Sequence, residues 1–311
     1  MEWYNRYKKQ LKLVFTEAER RIADYPEPLN AVGLAYADKF NPVKHEGGKD
    51  YICSLLPFWI RETAGISTAQ CERLALANVY GMLYFFIQDD VMDAAPSPNW
   101  KEQLALGNLL LLDMFAVFRE LFASDSPFWT YYHHYATTWA DSVMNEDCAD
   151  YFVTDPLRTA GKAGPVKIAS TGALLLTQRD ELIADMEQAV DIVLMTLQMS
   201  DDWADWKEDL AEGSYNGLLA MIASGRDSKE PLTEQEIETD VYVRGCLKPY
   251  ARIAEANHER LLALSIGAGE LIDFHAYLAV HLNQAAETID TNRKQLLQGG
   301  FSYFLSNQAA K

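Results

Sequence analysis

Apolar residues recur along nearly the whole chain at intervals of three and four, the spacing that collects them on one face of a helix. The strict alternation of a half-buried strand is scarce. The pattern predicts helices over 2–24, 29–40, 51–63, 68–93, 99–122, 127–147, 165–177, 180–210, 215–224, 234–263 and 270–297. Ser67 with Gln70, Thr233 with Glu236 and Asn99 with Glu102 have capping-box spacing, and Ser126 sets a hydroxyl before Pro127, which suits a first helical position. Breaks fall at Pro26-Glu27-Pro28 and at 41–50, 94–98, 155–165 and 224–231, all short. Segments 68–93 and 180–210 are apolar around most of their circumference, which predicts central helices surrounded by others. With no long linker and no fixed-period repeat, the expectation is one all-α domain over 1–311, a large helical bundle.

A chain of 311 residues can bury roughly three quarters of its unfolded surface. The mixture of 49% hydrophobic and 23% charged residues interrupts every apolar run, so no membrane span is expected. A net charge of -18 repels nucleic acid and anionic membrane surfaces, and an anionic small ligand fits only if divalent cations accompany it. The opening MEWYNRYKKQ lacks an apolar targeting segment, so a cytoplasmic location is the expectation. Cys53, Cys71, Cys148 and Cys246 have no CxxC spacing and read as reduced packing residues. His133 and His134 lack ligand partners at metal spacing and read as structural.

Acid at the ends of two apolar helices changes the picture. In FFIQDDVMD, Asp89 and Asp93 share a helical face, with Asp90 about 100° away. In QMSDDWADWKED, Asp201, Asp205 and Asp209 form a second stripe, while Trp203 and Trp206 point off it and read as packing. Each stripe is a like-charge array that destabilises its own helix, and the first lies where the macrodipole disfavours negative charge. A solvated acidic helix end is the bland reading of one such cluster; two, each above apolar residues and a glutamine (Gln88, Gln198), call for a compensating ion. Mg²⁺, which takes carboxylate oxygens and keeps positions open for water and phosphate, is the economical choice.

IQDDVMD and LQMSDDWADWKEDLAEGSYN resemble the two aspartate-rich motifs of the class I isoprenoid synthases, the superfamily of trans-prenyl diphosphate synthases and terpene cyclases. That resemblance implies an isoprenoid synthase-type helical bundle with a central cavity, three Mg²⁺ ions clamping a diphosphate, and, by family habit, a homodimer. It implies that Asp89 and Asp93 hold metal with Asp90 in support, and that Asp201 and Asp205 do so in either alignment of the second motif. Asp209 completes the cyclase-type triad, with Glu208 as the fallback. Asp89, Asp90, Asp93, Asp201 and Asp205 are the implied catalytic set.

Departures from the family's pattern separate the chain builders from the cyclases. Gly47, Gly48 and Lys49 continue as Asp50-Tyr51-Ile52, where a prenyl synthase has arginines for its second diphosphate, and AAPSPNW after Asp93 has none. Charge-assisted hydrogen bonds contribute roughly 1.5–3 kcal/mol each, so a second anion site looks dismantled. STGAL (170–174) is similar to the family's KTGAL with Ser170 replacing lysine; Lys167, Arg158 and Lys162 are the alternative diphosphate contacts, each equally readable as a surface cation. Gly81, Tyr84 and Phe85 below Asp89, and Leu194, Leu197 and Gln198 near Asp201, would line the cavity, with ordinary core as the competing reading. The run at 128–139 faces either that cavity or a subunit interface. Tyr215 and Asn216 resemble the end of the cyclase motif and would touch diphosphate.

The expected activity is a Mg²⁺-dependent terpene synthase acting on geranylgeranyl or farnesyl diphosphate. A short-chain prenyl diphosphate synthase is the alternative. A squalene-type head-to-head synthase and a non-catalytic prenyl synthase subunit rank lower.

Overall fold

Helix supplies all the regular secondary structure among the described residues: in the computed structural model there are fifteen α-helices and no strand, an all-α fold. The structure describes residues 1–311 other than 46–49, 94–98, 147–149, 228–229 and 310–311, and excludes the side chains of Asp93, Gln298 and residues 300–309. Two compact units are present. The first comprises Met1–Ala140, Lys162–Val190 and Ile266–Asp273, and the second Asp141–Gly161, Asp191–Ser265 and Phe274–Lys311.

In the first unit, α1 (Glu2–Asn5), α2 (Lys8–Ala23), α3 (Leu29–Lys39), α4 (Tyr51–Trp59) and α5 (Arg61–Ala64) precede α6 (Thr68–Asp93), α7 (Trp100–Leu121) and α8 (Phe128–Met144), whose last turn passes into the second unit. The predicted helix over 2–24 is thus two, and so is that over 51–63. At the start of α6 the expected capping box is formed: Gln70 N–H donates to Ser67 Oγ at 3.2 Å and Ser67 N–H to Gln70 Oε1 at 2.9 Å. Phe128 N–H donates to Ser126 Oγ at 3.3 Å before α8, whereas Asn99 makes no side-chain capping bond to α7.

Positions 74–83 of α6 are buried without interruption, because α2, α4, α7 and α10 (Lys167–Leu175) pack around it. The aromatic run of α8 packs inward: Phe128 lies 4.8 Å from Phe118, Tyr132 5.1 Å from Phe115, and Trp139 4.9 Å from Phe85, centroid to centroid.

The second unit holds α9 (Tyr151–Thr154), most of α11 (Ile183–Glu212), α12 (Gly217–Ser224), α13 (Glu234–Glu238), α14 (Leu247–Ala263) and all but the start of α15 (Gly269–Ala309). Its core joins Phe152, Met195, Met199, Trp206, Leu218, Ile237, Val241, Tyr250 and Leu282, with Trp203 packed against it, so both tryptophans are packing residues. The predicted helix over 234–263 is broken. A π-helical turn, Thr239–Arg244, follows α13 and ends at Gly245 in the left-handed region, φ 79°. The stretch read as a break at 155–165 is instead largely a 3-10 helix, Pro156–Val166. Among the described residues Cys53, Cys71 and Cys246 are free thiols, and Cys148 lies outside them. No helix among the described residues is long and apolar enough to cross a membrane.

A buried proton network braces α11 against α14 and α15. Asn257 Nδ2 donates to Thr196 Oγ1 at 3.2 Å, and the same oxygen is hydrogen-bonded to His275 Nε2, 2.9 Å away. His275 Nδ1 in turn lies 3.1 Å from His258 Nδ1, a hydrogen bond between two stacked rings whose planes are 16° from parallel. Burial, and secondarily the His258 charge, pull the His275 pKa from 6.5 to about 3. The unfolded chain therefore takes up this proton first as pH falls. Stability contributed by neutral His275 is present above 6.5 and is lost toward 3. About 2 kcal/mol should go between pH 7 and pH 5 through this residue. Urea midpoints at both pH values should fall less in His275→Gln than in the parent; equal falls would refute the assignment.

Candidate active site

The first acidic cluster occupies the last turn of α6. Asp90 Oδ2 accepts a hydrogen bond from Tyr36 Oη of α3 at 2.7 Å. Burial and then this bond push the Tyr36 pKa well above the ordinary phenol value. Asp90 is thereby held by a phenol that the sequence pattern did not single out. Asp89 is half-buried, and the Asp93 side chain lies outside the described residues, as do Gly47, Gly48, Lys49 and 94–98. One turn before Asp89, Phe85 is buried and sits 4.9 Å from both Tyr84 and Trp139 in edge-on geometry. A further turn back, a Cβ on Gly81 would come within 3.1 Å of Met114 Sδ, so α7 closes on the helix there.

Of the basic candidates, Lys167 is buried with Nζ 5.4 Å from the Tyr135 ring centroid, within cation–π range. Tyr135 Oη is in turn fixed by Glu187 and by Thr171 Oγ1 at 2.6 Å. Ser170 donates to the Lys167 carbonyl at 3.0 Å, closing on its own helix in a fully buried position. Lys162 is half-buried.

In the second unit the late turns of α11 sort their acids by helical phase. Asp202 is 3% exposed and faces inward, where its Oδ1 accepts from Gln198 Nε2 at 2.9 Å and its Oδ2 from Gly217 N–H at 2.9 Å and Tyr250 Oη at 3.2 Å. Burial pushes its carboxyl up to about 6, against those three hydrogen bonds. Asp201 and Asp209 are half-buried, and Asp205 and Glu208 are exposed. Asp209 is oriented by Asn216, whose Nδ2 donates to Asp209 Oδ2 at 2.7 Å and to the Asp202 carbonyl at 2.8 Å. Asn216 Oδ1 meanwhile accepts from Leu218 N–H at 3.0 Å and Leu219 N–H at 3.1 Å, capping α12. Burial raises the Asp209 pKa, and Asp205, Glu208 and Glu212 add to the rise while the Asn216 bond opposes it.

Several expected substrate contacts have other partners. All four hydrogen-bonding positions of the Asn216 amide are occupied and the residue is 2% exposed, so it positions Asp209 and has no donor left for a diphosphate. Tyr215 Oη donates to Asp150 Oδ1 and accepts from Phe152 N–H, both at 2.9 Å. Gln198 Nε2 serves Asp202. Arg158 pairs with Asp141 at 2.8 Å and lies over the Tyr151 ring at 4.3 Å. Leu194 and Leu197 are core residues, 3% and 9% exposed. Asp202 was the residue missed by pattern, although its phase, about 100° from Asp201, is the signal that marks it as the inward acid.

The donors present suit a hard cation: Asp201, Asp205 and Asp209 offer carboxylate oxygens, and at Asp209 burial, with the neighbouring Asp205, Glu208 and Glu212 adding to it, disfavours a bare negative charge that a divalent ion would stabilise. Among the described residues no group of three His, Cys, Asp or Glu side chains forms a ready-made metal cage. Mg²⁺ does not require one, since it usually keeps several waters and takes one or two carboxylates plus substrate phosphate. Neither a protein-family model nor a curated protein matches this chain.

Proposed function

We propose that the chain is a class I terpene synthase that takes one polyprenyl diphosphate, farnesyl or geranylgeranyl, and cyclises it with release of diphosphate. The observation that carries this reading is the oriented carboxylate of Asp209: a fully committed Asn216 fixes it from behind, the arrangement by which outer-shell groups aim metal ligands. Asp201, Asp205 and Asp209 would hold metal on α11, and Asp89 and Asp93 on α6, with Asp90 positioned by Tyr36. Mg²⁺, when bound, supplies Lewis-acid stabilisation of the leaving diphosphate. Tyr84, Phe85 and Trp139 offer aromatic faces and edges, of the kind that stabilise a carbocation without reacting with it. Lys167, its position set by Tyr135, is the cation assigned to the diphosphate. A homodimer completes the proposal.

The test is incubation of the purified protein with Mg²⁺ and geranyl, farnesyl or geranylgeranyl diphosphate, each with and without isopentenyl diphosphate. Terpene formed from a single substrate is the expected result. Elongation only when isopentenyl diphosphate is supplied would make it a prenyl diphosphate synthase, and inertness in every mixture would overturn the enzymatic reading.

A further inference from the structure

In the second unit a pocket of about 290 Å³ lies where the turn before α14, the start of α14 and the part of α15 around Asp290 come together. Arg244, Lys248, Arg252 and Arg293 line it, against one lining carboxylate, Asp290. Asp290 is already engaged: Arg293 Nη2 donates to its Oδ1, and Lys294 Nζ lies 2.7 Å from its Oδ2. Lys294, Arg293 and Lys248 hold its pKa below the usual carboxylate value. Arg244 pairs with Asp240 at 2.9 Å. Lys248 and Arg252 have no ion pair or hydrogen bond among the described residues and are both exposed.

Those two cations stand one turn apart on the same face of α14, where like charges repel. Lys248 also falls in the first turn, where the macrodipole is positive, and that turn contains no acidic residue. Gly245 shapes the pocket: its left-handed φ of 79° favours glycine, and the Arg293 guanidinium packs into the space a side chain would take, with Nη1 2.7 Å from where a Cβ would lie. A chain with a net charge of -18 thus gathers four cations around one small cavity, two of them, Lys248 and Arg252, outside any ion pair among the described residues.

We infer that this pocket binds a small phosphate-class anion, contacted by Lys248 and Arg252, with Arg244 and Arg293 strengthening the field. The guanidinium fork and the ammonium together match a phosphate's several oxygens. The site is independent of the terpene synthase reading, because it needs no divalent metal. Titration calorimetry of sodium diphosphate into the full-length chain in EDTA tests it, since without metal the aspartate clusters repel the anion. Saturable binding is expected, retained in Asp201→Ala and weakened at least about tenfold in Lys248→Ala/Arg252→Ala. Circular dichroism should show that the double variant is folded.

A phosphorylated lipid headgroup could offer the same chemistry, and co-sedimentation with phosphatidylcholine vesicles containing phosphatidic acid separates the two sources. Sedimentation lost in the double variant assigns the pocket to a headgroup, and diphosphate binding without sedimentation assigns it to a soluble anion. Equal binding by parent and double variant, or none by the parent in either assay, overturns the inference.

Discussion

Asp201→Ala is expected to lower diphosphate release by at least about 10²–10³-fold, the range typical when one stabiliser of transition-state charge is removed. The half-buried Asp201 belongs to the outward stripe of α11, so its loss should leave the inward Asp202 network and the helical circular dichroism intact. If Asp201 is a metal ligand as proposed, raising Mg²⁺ should not restore the rate, because the variant lacks a ligand and not occupancy alone. Asn216→Ala should also slow turnover, through a misaimed Asp209, while additionally losing about 1 kcal/mol from the α12 cap. Full activity in Asp201→Ala would refute the metal assignment.

The largest effect on stability is expected at Asp202. Alanine there strips the acceptor from Gly217 N–H and Tyr250 Oη, both buried, and from Gln198 Nε2. Buried donors left without partners cost about 1–3 kcal/mol each, so the total is on the order of 3–5 kcal/mol. That is a large share of the roughly 5–15 kcal/mol that ordinary domains possess. Asp202→Asn should be mild, because its oxygen can face Gly217 and Tyr250 while the Gln198 amide turns its own oxygen toward the new NH₂ group. Gly217→Ala should be severe for a steric reason: its Cβ would lie 2.7 Å from Phe152 Cδ2 and 2.8 Å from Asp202 Oδ2. Urea unfolding midpoints rank the three variants, and a parental midpoint in Asp202→Ala would remove its structural role.

The central position of α6 was legible because its start has a capping box and its middle is apolar on every side, two signals that need no tertiary knowledge. The break at Gly245 was not. Ile237 and Val241 are both buried and four apart, so helical spacing runs straight through α13 into the π turn, and only the left-handed glycine reveals the stop. The stripe of Asp201, Asp205 and Asp209 could be read from spacing alone. The commitments of Asn216, Tyr215 and Arg158 could not, since each depends on a partner that folding brings near: Asp209 and the Asp202 carbonyl, Asp150 and Phe152, and Asp141. Asn99 had the spacing of a cap yet makes no side-chain capping bond, a reminder that such signals state an opportunity.

Asn216 is followed directly by a glycine, the neighbour that best lets a backbone nitrogen attack an asparagine side chain and expel ammonia. In the native state that amide is sealed at 2% exposure and tied down at both ends, so the reaction is suppressed where it would do harm. Chains stored unfolded or cycled through heat lack the seal. Water then opens the resulting succinimide to isoaspartate or aspartate, a new negative charge set against Asp209, and aged preparations would refold with the carboxylate pushed aside and a gain of about one dalton in mass as its record.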